Sequence, residues 1–148
     1  MNKLLVKLDQ AVATNPNNST TWHERGEVLA NMGQYAEALQ SFDKALELQP
    51  ERHETWIFRG VVLIHLERYA EALMSCDIAL ALRPYDSEAW TFRGVALHRM
   101  CRYPEAYDSY NQALGIEQPS LWHSMMQLVR QVKRSLTPWR YLNSDQGQ

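Results

Sequence analysis

Two cysteines in 148 residues are too few for a disulfide framework, so nothing here demands an oxidising compartment. No apolar run approaches the ~20 residues of a membrane-spanning helix, so no membrane role is expected. The opening MNKLLVKLDQAVA mimics an export signal, but Lys7, Asp9 and Gln10 interrupt its apolar stretch. A cytoplasmic location is therefore expected. Charge of one sign is also missing. The formal net charge of −2 provides no global basic field, which argues against nucleic acid as a partner. Glycine-rich phosphate loops and paired zinc motifs are absent as well. His98 and Cys101 are three residues apart, with His65 near the equivalent place in an earlier segment, but no further ligands complete a metal set. No cofactor, no metal and no catalytic residue is expected.

What is present is a period. Trp22, Trp56 and Trp90 stand 34 residues apart, and the same step relates Gly26, Gly60 and Gly94. It also relates Tyr35, Tyr69 and Tyr103; Ala38, Ala72 and Ala106; Ala45, Ala79 and Ala113; and Pro50 with Pro84. In the third unit the proline arrives one residue late, as Pro119. Each unit reads as two helices. Trp56, Val61, Leu63 and Ile64 follow helical spacing in the first; Leu39, Phe42, Ala45 and Leu46 do so in the second. Gly33 suits a left-handed helix end, and Pro104 suits a first helical turn. A mid-helix glycine costs ~1 kcal/mol relative to alanine. Its recurrence at one spacing implies close packing, which this reading assigns to the alanines at 38, 72 and 106.

The pattern Trp-x2-Leu-Gly-x2-Tyr…Ala-x3-Phe…Pro resembles the tetratricopeptide repeat. It is written here as Trp22, Gly26, Leu29, Ala38, Phe42, Pro50; then Trp56, Gly60, Leu63, Ala72, Cys76, Pro84; then Trp90, Gly94, Leu97, Ala106, Tyr110. The resemblance implies an all-α chain of stacked antiparallel helical hairpins, a right-handed α-solenoid. Its units are expected at 19–52, 53–86 and 87–118. A half-repeat helix and turn at 1–18 would precede them, with a capping helix at 119–137 and a disordered tail at 138–148 after them. One departure is periodic. Arg25, Arg59 and Arg93 replace the family's usual Leu, and each is expected to lay its stem along the core and pair with a neighbouring acid.

In the family, the first helix of each unit lines a concave groove that takes protein or peptide partners. The positions this implies are His23, Glu27 and Asn31 in the first unit, with Thr20 beside them. The second unit supplies Ile57, Val61, Ile64 and His65, and the third Thr91, Val95, His98 and Arg99, with Glu54 and Glu88 at the rim. One subclass clamps the acidic tails of heat-shock chaperones with Lys, Asn and Arg. The matching positions here carry His23, Glu27, Phe58, Glu88 and Phe92, which would repel or starve a carboxylate. The expected function is a non-catalytic interaction module holding a peptide or helix of a partner. The alternatives are a self-assembling unit, a homodimer through its ends, or a regulatory arm of a larger protein. For self-association the candidates are Leu5 and Leu8 at one end and Trp122, Met126 and Val129 at the other. The basic cluster at Arg130, Lys133, Arg134 and Arg140 reads as a solvated helix face rather than an RNA site.

Overall fold

The computed structural model describes residues 2–116, 125, 127–132 and 134. Among the described residues up to 116, seven helices run in order: α1 (Lys3–Thr14), α2 (Ser19–Asn31), α3 (Tyr35–Leu48), α4 (His53–His65), α5 (Tyr69–Leu82), α6 (Ser87–Arg99) and α7 (Tyr103–Ala113). The described residues beyond 124 are helical and exposed, and the described residues contain no strand. The pairs α2–α3, α4–α5 and α6–α7 form hairpins; α1, α3 and α5 each pack on the helix that follows, and α2, α4 and α6 lie side by side. The chain is thus an α-solenoid of stacked hairpins.

Each hairpin turns in the same way. The backbone N–H groups of Gln34, Arg68 and Arg102 donate to the carbonyls of Leu29, Leu63 and Leu97 at 2.9, 2.8 and 2.9 Å. This closing bond needs a left-handed residue just before it. Gly33 supplies one at φ +75°, while Glu67 and Cys101 accept the same conformation at +58° and +60°. Asn2, Asn18 and Asp86 open α1, α2 and α6 by accepting backbone N–H bonds from the first turn.

The periodic arginines tie neighbouring units together. Nε of Arg25, Arg59 and Arg93 donates to Asp9, Asp43 and Asp77, each at 2.7 Å, on the second helix of the preceding unit. Nη1 of the same residues donates to Ser41, Ser75 and Ser109, at 2.6, 2.6 and 2.8 Å, on the second helix of their own unit. Each guanidinium also lies 5.6–6.0 Å from the ring centroid of the Trp one turn earlier. That indole N–H donates to Pro16, Pro50 or Pro84 at 2.7–2.8 Å, fixing the turn that leads into the helix. The expected pairing with an acid is therefore present, together with a serine and an indole that the sequence reading did not assign.

The glycines correct one expectation. A Cβ on Gly26 would fall 2.5 Å from the Phe42 ring, and one on Gly94 would fall 2.5 Å from the Tyr110 ring. The closest approach is thus to the residue sixteen positions on, and the alanine column comes within contact only at Gly60, where the Ala72 carbonyl would lie 3.5 Å away. At Gly60 that residue is Cys76, whose Sγ would lie 3.0 Å away. Cys76 is a buried free thiol, and burial pushes its pKa up to about 12, so it acts as a small core side chain.

Gly26→Ala should cost about 1–3 kcal/mol, because the enclosed Phe42 ring must move. Gly60→Ala should stay within about 1 kcal/mol of wild type, since the gain in helix propensity offsets a milder contact. Denaturant unfolding of both variants checks the order, and equal costs would contradict it. Arg59→Ala should cost about 1–3 kcal/mol by orphaning buried Ser75 and the Trp56 face. Asp43→Asn should cost under about 1 kcal/mol, because that carboxylate is half exposed. A larger loss from the aspartate change would show that the ion pair, not the buried contact, dominates.

Candidate functional site

The 34-residue step places equivalent residues of α2, α4 and α6 in rows across their shared face. The row Asn31, His65, Arg99 is exposed throughout. The row Glu27, Val61, Val95 is half-buried, as is Ile64, while His98 and Thr91 are exposed. Thr20, Glu54 and Glu88 form an exposed row at the opposite end of the helices. The face is thus an apolar strip between an acidic edge and a His/Arg edge. Neighbouring helices are stitched at the acidic edge, where Arg52 Nη1 donates to Thr20 Oγ1 at 3.1 Å and His53 Nε2 lies 3.6 Å from Asp86 Oδ2. At the other edge the His65 ring stacks on Tyr35, centroids 4.4 Å apart, and His98 meets Tyr103 edge-on at 5.0 Å.

Two expected lining residues do not reach this surface. His23 is only 4% exposed, sandwiched between α2 and α4 against Phe42 and Phe58, with Nδ1 2.9 Å from the Thr55 hydroxyl. Its Nε2 lies 3.5 Å from Glu27. Ile57 is buried among Ala79, Leu80 and Ala89. In both cases the neighbouring helices close over the row at its first two positions, and only Thr91 in the third remains open. Burial, reinforced by the Arg52 guanidinium, lowers the His23 pKa to about 4. Burial, then nearby Glu24, raises that of Glu27.

At the N-terminal end the self-association candidate Leu8 is buried and Leu5, half-buried, packs against the main core, while Leu4 beside them is exposed. Val129 is exposed; Trp122, Met126 and the tail at 138–148 lie outside the described residues. Met125, Leu128 and Val132, within the segment expected as a capping helix, are exposed. A cavity of about 630 Å³ lies away from the groove, against Asp9, Trp22, Arg25 and Asp43. Among the described residues no group of three His, Cys, Asp or Glu is placed to hold a metal ion, and no helix is long and apolar enough to cross a membrane.

Residues 23–87 match the tetratricopeptide repeat family model. The same fold appears in solved structures. One of MamA is 19% identical with a TM-score of 0.73, over 76% of this chain and 66% of that one. A second, MamA AMB-1, is 25% identical with a TM-score of 0.70, over 82% of this chain and 67% of that one. The first TPR of Spaghetti (RPAP3), bound to the HSP90 peptide SRMEEVD, is 24% identical with a TM-score of 0.65, over 80% of this chain and 93% of that one. Over residues 23–87 the chain carries tetratricopeptide repeats. It spans just under two thirds of the first MamA chain, and no curated protein matches its sequence. The tetratricopeptide signature residues Leu29, Leu63 and Leu97, with Ala38, Ala72 and Ala106, are all fully buried. The Asp and Ser columns that hold the arginines were visible as further 34-residue steps, from Asp9 to Asp43 to Asp77 and from Ser41 to Ser75 to Ser109.

His23 gives this protein a pH dependence with a definite sign. Its folded pKa of about 4 lies below the ordinary 6.5, so the unfolded chain takes up a proton that the fold refuses. The stabilisation from neutral His23 is complete above about pH 6.5 and is lost as pH falls towards 4. Thermal melts from pH 7 to 4 should show a steeper decline for wild type than for His23→Gln. Parallel curves would remove His23 from the account.

Proposed function

We propose that this chain is a non-catalytic interaction module whose three repeats, at 19–52, 53–86 and 87–118, hold a peptide or helix of a partner against α2, α4 and α6. The observation that carries the reading is the half-open strip of Val61, Ile64 and Val95 on side-by-side helices, flanked by exposed polar rows. Apolar contact supplies affinity in such a groove, and the flanking polar groups supply selectivity. The fold itself points to a protein-interaction scaffold. Acidic chaperone tails are a poor match, since Glu27 and Glu88 occupy clamp positions and His23 is enclosed.

One observation favours a second reading, self-association at the C-terminal end. Leu46 and Leu80 are 6% and 8% exposed beneath the following unit, whereas their counterpart Leu114 is 73% exposed. Such a surface invites a neighbouring copy.

Peptide display against the purified chain tests the groove. Val61→Glu with Val95→Glu should leave helicity intact and weaken any selected peptide by about tenfold or more, because a charge then sits in the apolar strip. Undiminished binding would move the interface off this face. Sedimentation equilibrium separates the second reading, with a monomer at all concentrations removing it.

A further inference from the structure

The charges flanking the groove are unevenly distributed among helices that share the same dipole. Glu54 and His65 sit in the first and last turns of α4; Glu88 and the pair His98, Arg99 sit in those of α6. Acids at N-termini and bases at C-termini suit the macrodipole of any helix. Yet α1, α2, α3, α5 and α7 carry no basic residue in their last turn. Among α1 to α7 the last turn itself carries a base only in the groove helices α4 and α6, while Arg83 caps α5 just beyond its end.

These charges are also unspent. Arg25, Arg52, Arg59, Arg68, Arg93 and Arg102 all stand within ion-pair distance of a carboxylate. Among the described residues Arg99 and Glu88 are exposed and make no ion pair, as is also true of Arg83 at the end of α5, away from the groove edges. Glu54 keeps only a 3.9 Å contact with Arg52 and remains exposed.

The spacing of the edges selects the shape of the occupant. Glu54 and His65 are separated by the length of α4, which at 1.5 Å rise per residue puts the edges about 16 Å apart. An α-helix with its side chains is about 10–12 Å across, so long charged side chains on its flanks reach both edges while its apolar stripe meets Val61 and Val95. An extended peptide has only two opposite side-chain faces, so one that addresses both edges has none left for Val61 and Val95.

We infer that the groove takes an amphipathic α-helix with an apolar stripe, basic residues along one flank facing Glu54 and Glu88, and acidic residues along the other facing His65 and Arg99. This rests on the groove reading above and adds the partner's shape and charge pattern to it.

Three labelled helical peptides with one apolar stripe test it: one with an acidic and a basic flank, one with two acidic flanks and one with two basic flanks. Fluorescence anisotropy with the full chain should show the mixed-flank peptide binding about tenfold tighter than either other, with the advantage shrinking at about 0.5 M salt. Glu54→Lys with Glu88→Lys should transfer the preference to the doubly acidic peptide. Equal affinities for all three, with binding still abolished by Val61→Glu and Val95→Glu, would overturn the charge pattern and leave the groove standing. Binding that ignores Val61→Glu and Val95→Glu, or no binding by any of the three, would overturn the groove and this inference together.

Discussion

A guanidinium held between two helices and an indole sets the geometry of the whole stack. Arg59 reaches Asp43 behind it and Ser75 ahead of it, so one side chain fixes the position of α4 against both α3 and α5. A leucine at that position would pack against the same helices, but it would not specify the angle. The fork of the guanidinium does, because its Nε and Nη1 donors point in fixed directions and each has one acceptor. The Trp beneath it joins its unit to the preceding turn through a proline carbonyl, so the same side-chain group controls both packing and chain entry. Small residues at the glycine positions let the helices close to the distance this requires.

The period was legible because it is a packing rule written in sequence. Columns such as Trp22–Trp56–Trp90 and Gly26–Gly60–Gly94 cannot vary freely without opening the stack, so they gave away the helices, the hairpins and the order of contacts. The arginines' acid partners were inferred in kind but not in position, since an Asp column at half-exposed positions looks like ordinary surface. The glycine partner was misassigned because alanine is the small residue a reader expects opposite glycine. In fact a large flat ring fits a missing Cβ better, and Phe42 and Tyr110 occupy that space.

The groove was less legible, and His23 and Ile57 show why. Counting along a helix identifies a face, but not how far the neighbouring helix overlaps it. The α4 helix closes over His23 through Thr55 and Phe58, and α6 closes over Ile57 through Ala89. Overlap depends on the crossing of adjacent hairpins, which the Arg contacts set at long range. Burial then changes the chemistry as well as the access. A histidine expected to meet a ligand instead stays neutral inside the fold and stabilises the join between the first two repeats.

Because the three hairpins share one geometry, they serve as an alignment of the chain with itself. Columns that repeat unchanged are held by the stack: the Trp, Gly and Arg positions, and the Asp and Ser that receive the Arg. Columns that change between copies are free of that constraint. The row Asn31, His65, Arg99 changes from neutral amide to cation along the stack, and the row Glu27, Val61, Val95 changes from acid to apolar. Those rows face outward on three adjacent helices, so their variation does not disturb the fold. The pattern of change therefore gives the surface a direction: polar at the first repeat, apolar with a free cation at the third. Where Arg and Asp would next recur stand Gln127 and Asn111, so the ionic joint is not written a fourth time. The outer face of α7 accordingly lies open at Leu114, while the same column is sealed at Leu46 and Leu80. Stability in this protein is thus carried by what repeats, and the character of its exposed face by what differs among the repeats.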